Sequence, residues 1–252
     1  MCIRDSDGHH RRLVRHDLSM RATEVRELMD DPDADIGMLE QTYRRFRLVN
    51  ALVSRPGLLY RREIRPRARR GPIRILDIGA GGGDVCRMIA ARLRRAGLDA
   101  EITALDADER AIRWAADNDH GAGIRYRCAF AADLVAEGEQ YDVVFSNHVL
   151  HHLTSTELDG LLRDSEALVG GGGVVVHRDI ARTRFAYALY DAATWVLSGT
   201  LFRGSFIRED GLISIRRSYA RRELASLVPS GWAVRFGLPS RLELSWKAEA
   251  AS

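Results

Sequence analysis

Between Leu76 and Val85 the chain reads LDIGAGGGDV, placing Gly79, Ala80, Gly81 and Gly83 directly after the carboxylate of Asp77. Where Cβ atoms are missing, the main chain can turn sharply and a ligand can lie against its peptide groups. Two ligand chemistries compete for such a cradle. A dinucleotide fingerprint needs GxGxxG, and Asp84 stands where its third glycine would be, so a pyrophosphate would meet a carboxylate. A helix N-terminus welcomes anions, yet Asp77 and Asp84 flank this turn and favour a ligand bearing positive charge. A third reading has no ligand at all: the glycines form a tight strand-to-helix turn.

Other residues could move a proton. His148 follows YDVVFSN and His177 lies near the end of GGVVVHRDI, both expected at the rim of a sheet. A neutral imidazole with a pKa of about 6.5 can accept the proton of a phenol. Asp179, two residues beyond His177, could orient that ring or cap the next helix. His148, His151 and His152 are spaced to share a helix face, but HVLHHL lacks the HExxH arrangement and shows no third ligand. His9, His10 and His16 have no supporting carboxylate or cysteine spacing either, so no metal is expected.

These residues need a scaffold, and the pattern after Pro72 supplies one. Short apolar runs (IRILDI, AEITALD, IRYRCAF, YDVVFSN, GGVVVHRDI) alternate with helical segments, which predicts βαβ units and a parallel sheet of at least five strands. A helix is expected from about residue 148 to 168. WAVRFG and RLELSWKA are separated only by LPS, too short for a crossover helix, so they are expected to pair as an antiparallel hairpin.

Upstream, Val25, Leu28 and Met29, and then Leu39, Tyr43, Phe46 and Val49, recur at helical spacing. Residues 20–71 are therefore read as an N-terminal helical lid followed by the basic linker RREIRPRARR at 61–70, and residues 72–252 as the main domain. Residues 1–19 are polar and aperiodic and are expected to be disordered. Their opening, MCIRDS, resembles translated sequencing-adapter sequence and is expected not to be native.

The chain has 252 residues, 46% of them hydrophobic, and a formal net charge of only +3. Such balance argues against nucleic acid as a partner. Cys2, Cys86 and Cys128 form neither a disulfide framework nor a CxxC site, and no signal or apolar span is present, so a cytoplasmic protein without stable membrane insertion, monomer or homodimer, is expected.

Asp77 with the glycine stretch, and the acid Asp106 closing AEITALD, together resemble the class I S-adenosylmethionine-dependent methyltransferases over roughly Pro72 to Lys247. The resemblance implies a Rossmann-like α/β fold: a seven-stranded, mostly parallel sheet with helices on both faces and a C-terminal antiparallel hairpin. It implies S-adenosylmethionine as cofactor, with Asp77, Gly79, Ala80, Gly81 and Gly83 around the methionine part. Asp106, with Ala107, would take the ribose hydroxyls, Asp133 and Leu134 would lie at the adenine, and Asn147 would sit beside the cofactor.

FRLVNALVSRPGLLYR, at 46–61, is also partly similar to a motif of the ubiquinone and menaquinone biosynthesis methyltransferases. Phe46, Asn50, Val53 and Ser54 fit it, while Arg47, Leu58 and Arg61 depart from it. The aromatic segment at 185–199, inside an insertion at about 181–219, is expected to cover an acceptor pocket, with Arg216 and Arg217 available to an anionic group. The implied acceptor is a small phenolic, quinol or polyketide-like aromatic, methylated on oxygen or ring carbon. The rival readings are an RNA methyltransferase and a nicotinamide-dependent oxidoreductase.

Overall fold

The computed structural model describes residues 17–52 and 55–249. The strands are β1 (Ile73–Ile78), β2 (Ala100–Asp106), β3 (Ile124–Cys128), β4 (Tyr141–Asn147), β5 (Val169–Ile180), β6 (Ala233–Gly237) and β7 (Arg241–Lys247). They form one sheet in the order β3-β2-β1-β4-β5-β7-β6. The first five run parallel, whereas β7 is antiparallel to both β5 and β6.

Central strands of a parallel sheet are buried on both sides, so both of their residue parities are apolar. Leu76, Val144, Val175 and Leu244 face a core completed by Leu134, Leu158, Leu162 and Leu224. These come from α6 (Ala131–Ala136), α7 (Ser155–Ala167) and α10 (Arg221–Leu227). Ile75, Val143, Phe145 and Val176 face the opposite core with Leu59, Ile64, Ile89 and Leu93. That side is built by α2 (Pro56–Leu59), a π turn (Tyr60–Ile64), α3 (Arg65–Ala68) and α4 (Asp84–Arg95). The π turn fits the sequence: Pro66 has no N–H to give, and Arg65 bonds back five residues to the Tyr60 carbonyl. The remaining helices are α1 (Ile36–Leu52), α5 (Glu109–Asp117), α8 (Arg184–Ser198) and α9 (Ile207–Arg217).

Three expectations change. The helical spacing at Val25–Met29 yields only a 3-10 turn, Leu28–Asp30. The residues before it are held by distant partners: Ala22 N–H donates to the Arg216 carbonyl, and the Arg21 guanidinium lies 3.6 Å over the Tyr219 ring and bonds three carbonyls. The helix expected from 148 to 168 begins instead at Ser155, because Thr154 and Glu157 form a capping box, leaving Leu150–His152 as a separate 3-10 turn. Residues 17–19, expected in the disordered tail, are placed, with Arg182 donating to the carbonyls of Leu18 and Ser19. Residues 1–16, including His9, His10 and His16, lie outside the described residues, as do Val53 and Ser54. Among the described residues, no helix is long and apolar enough to cross a membrane.

Candidate active site

A cavity of about 710 Å³ opens at the carboxyl ends of β1, β2 and β4. This is where the crossovers of an open α/β sheet diverge and ligands bind. Met29, Tyr43 and Phe46 wall it from the N-terminal segment, and Tyr190, Ile207 and Ser214 from α8 and α9. Its volume lies in the range of small-molecule sites.

The glycine loop forms its floor. Gly79 and Ala80 donate their N–H groups to the Leu105 carbonyl at 2.8 and 3.0 Å, folding the loop against β2. Gly79 has φ 70°, and a Cβ there would stand 2.4 Å from Val149 Cγ2. Gly81, at φ 52°, has nothing within 4 Å of the space a Cβ would take, and that space is open cradle. Gly81→Ala is therefore expected to cost stability only the left-handed strain of about 1–2 kcal/mol. Its methyl would occupy the cradle, so cofactor affinity in a calorimetric titration should fall by about tenfold or more. Equal affinity in the two proteins would place the ligand elsewhere.

Electrostatically the cavity favours a cation. Asp77, Asp84 and Asp106 line it, and among the described residues no arginine or lysine does. Asp77 and Asp84 are 2% and 4% exposed, and burial raises the pKa of both. Cys86 Sγ lies 3.3 Å from Asp77, and Asn50 Nδ2 donates to both oxygens of Asp84 at 3.2 Å. Asp106 accepts the N–H of Gly81 at 2.7 Å and of Asp108 at 2.9 Å, which fixes the acid of β2 against the glycine loop. A sulfonium- and ammonium-bearing ligand with ribose hydroxyls fits this donor set; a pyrophosphate does not.

Of the residues anticipated for the cofactor, Asp77, Gly79, Ala80, Gly81, Asp106, Ala107 and Asn147 line the cavity. Three do not. Gly83, at φ 71°, caps α4, and Gly82 lines the floor in its place. Asp133 turns back to accept the N–H of Phe130 at 2.8 Å, closing the first turn of α6. Leu134 is wholly buried in the core. The wall after β3 is instead Ala129, Phe130, Ala131 and Ala132, and Phe130 presents an exposed ring that sequence reasoning passed over.

The two candidate bases separate. His177 is fully buried, its ring stacked on Trp232 at 5.7 Å and its Nδ1 2.8 Å from Ser146 Oγ, and burial lowers its pKa to about 3. It is not at the rim, because β5 continues to Ile180 through its pairing with β7. His148 lines the cavity, held at φ 58° with its N–H on the Arg178 carbonyl. Asp179 lies not against His177 but against His148 and His151: its Oδ1 is 3.5 Å from His148 Nδ1, and His151 Nδ1 stands 2.9 Å from Oδ2. Arg216 and Arg217 are not among the lining residues; Arg217 donates to the His152 carbonyl.

His151 is the residue whose part the sequence concealed. Buried to 2% exposure, it spans Asp179 and Glu27, the latter 2.9 Å from Nε2. Burial alone would strip its proton, but Asp179 and then Glu27 outweigh it and raise the pKa to about 10. Burial likewise opposes ionisation of Glu27, and the charge on His151 overcomes it, holding the carboxyl at about 2. Glu27, His151 and His152 do bring three ligand-type atoms within 4.8 Å, the third partner HVLHHL lacked. With both ring nitrogens of His151 already on carboxylates, the arrangement is a buried ion-pair chain from β5 to the N-terminal segment.

Residues 75–173 match the family model described as a methyltransferase domain. With the strand order and the acidic cradle, this makes the fold that of the class I S-adenosylmethionine-dependent methyltransferases, with S-adenosylmethionine as the cofactor that fits the site. The chain is 37% identical over 137 residues to the ubiquinone biosynthesis O-methyltransferase of Maricaulis maris, covering 53% of this chain and 50% of that protein. The corresponding protein of Roseobacter denitrificans is 34% identical over 152 residues, 58% of each chain. The chain thus spans about half the length of the curated relatives it matches. Among solved structures, the plantazolicin methyltransferase BpumL in complex with SAH superimposes with a TM-score of 0.55 at 16% identity, over 88% of this chain and 93% of that one. At that identity the likeness is one of fold.

Proposed function

We propose that this chain methylates a hydroxyl group on a small aromatic acceptor, with His148 as the general base and Asp179 as the residue that orients it. The observation carrying this reading is the His148 ring in the cavity wall beside Asn147, backed by a carboxylate that is itself 3% exposed and anchored by His151. Asp179 stays ionised: burial opposes it, but the charge of His151 and the bonds to both imidazoles hold its pKa well below the usual range. Facing that carboxylate, Nδ1 of His148 carries the proton, which leaves the basic lone pair on Nε2.

The bound cofactor supplies an electrophilic methyl on a sulfonium sulfur. Everything else falls to the chain. His148 takes the hydroxyl proton as the acceptor oxygen becomes a nucleophile, Tyr43, Phe46 and Tyr190 hold the ring, and the enclosing segments fix the line of attack. Hydroxyl is favoured over ring carbon because a positioned base answers a phenol pKa of about 10, and because the relatives named above are O-methyltransferases.

Incubation with methyl-labelled cofactor and a panel of catechols, phenols and hydroquinols is expected to yield labelled aryl methyl ethers. Label found only in RNA or in ring-carbon methyl groups would overturn the reading. Asp106→Ala, which removes the acceptor for the ribose hydroxyls, is expected to weaken cofactor binding by about 10–100-fold, the worth of charge-assisted hydrogen bonds. Unchanged affinity would contradict this position for the ribose.

A further inference from the structure

The basic segment at 61–70 takes no part in the cavity described above. Arg61 and Arg65, from the π turn and α3, face Arg92 and Arg95 of the last turn of α4 across an open groove of about 490 Å³. Gly57, Tyr60 and Ala96 complete its lining. Tyr60 is buried and donates its hydroxyl to the Arg92 carbonyl at 3.4 Å, fixing one wall to the other. The guanidinium groups converge from both sides: a methyl at Gly57 would lie 3.4 Å from Arg92 Nη2 and 3.9 Å from Arg61 Nη1.

Among the described residues, none of these four arginines has a carboxylate partner, and Glu63 is committed to Arg67 at 3.0 Å. The carbonyl end of α4 accounts for Arg92 and Arg95, and Arg92 Nη1 does donate to the Met88 carbonyl. It does not account for Arg61 on the opposing wall. Like charges gathered without a counter-charge repel one another, and an anion between them reverses that sign. The planar fork of guanidinium matches phosphate oxygens in pairs.

We infer that this groove is a binding site for a phosphate or diphosphate group, at the far end of α4 from the glycine cradle. Its size and its two facing walls suit one phosphorylated group, whether on a soluble phosphoester or on a lipid headgroup. The groove is independent of the methyl-transfer site, so the inference stands or falls apart from the proposed function.

The test is calorimetric titration of the full chain with pyrophosphate, beside sedimentation with vesicles of phosphatidylcholine and phosphatidic acid. Saturable binding to one or both is expected, weakened by about tenfold or more in Arg61→Glu/Arg92→Glu. Arg113→Glu/Arg163→Glu, which alters two exposed arginines elsewhere, should bind as the wild type does. Unchanged S-adenosylhomocysteine binding reports that the variants are folded. Pyrophosphate without vesicles identifies a soluble ligand, and vesicles without pyrophosphate a headgroup; either supports the site. Absence of both, equal weakening in the two double variants, or short RNA binding that persists in Arg61→Glu/Arg92→Glu while neither phosphate probe binds, would overturn it.

Discussion

A His148→Asn variant is expected to bind S-adenosylmethionine as the wild type does and to lose about 10²–10⁴-fold in methyl transfer, the usual contribution of a positioned general base. Asparagine is the informative replacement because His148 sits at φ 58°, a conformation that asparagine tolerates better than most residues. The loop should therefore keep its shape, and the N–H of residue 148 its bond to the Arg178 carbonyl. The loss should appear in kcat with little change in KM, since a base acts in the transition state. It should also shrink when the acceptor is a nitrophenol already ionised at neutral pH, which needs no base. A variant that retained full kcat on unactivated phenols would remove His148 from the reaction.

Glu27→Ala is expected to lower stability by about 3 kcal/mol, the low end for breaking a buried ion pair, because Asp179 still faces the charged His151. In a domain of this size that is a fall of about 6–12 °C in Tm. The pH dependence has a definite sign. His151 is raised from an ordinary value of 6.5 to about 10, so its contribution is complete below about pH 6.5 and is lost as pH rises through 10. Glu27 is lowered from 4.5 to about 2, so its contribution is complete above about pH 4.5 and is lost as pH falls through 2. The Tm difference between wild type and variant should thus be widest near pH 5–6 and shrink towards pH 10. A difference that stays constant across this range would mean that Glu27 acts by packing alone.

The central scaffold was legible because its signals are local. Alternating apolar runs named the strands, the four glycines named the turn, and the three-residue break between WAVRFG and RLELSWKA allowed only a hairpin, which pairs as expected. Asp106 was marked by its place at the end of β2 and Asn147 by the family resemblance, and both line the cavity. Asp133 and Leu134 did not follow the same logic. A short helix start offers its acid two fates, ligand or cap, and only the geometry of the Phe130 N–H chose the cap.

What the sequence determined by itself was therefore the sheet, its glycine cradle and the sign of the charge waiting there, since each depends on residues adjacent in the chain or two apart. Tertiary structure alone decided which histidine lines the cavity and which carboxylates lie against His148 and His151. His177 and His148 look equivalent as residues near strand ends, but β7 pairing carries β5 past His177 and buries it. Glu27 carries no motif, and it reaches His151, 124 positions away, only because the segment before α1 folds back over the sheet rim. Contacts of that span are set by packing between elements, and the local pattern around either residue holds no trace of them.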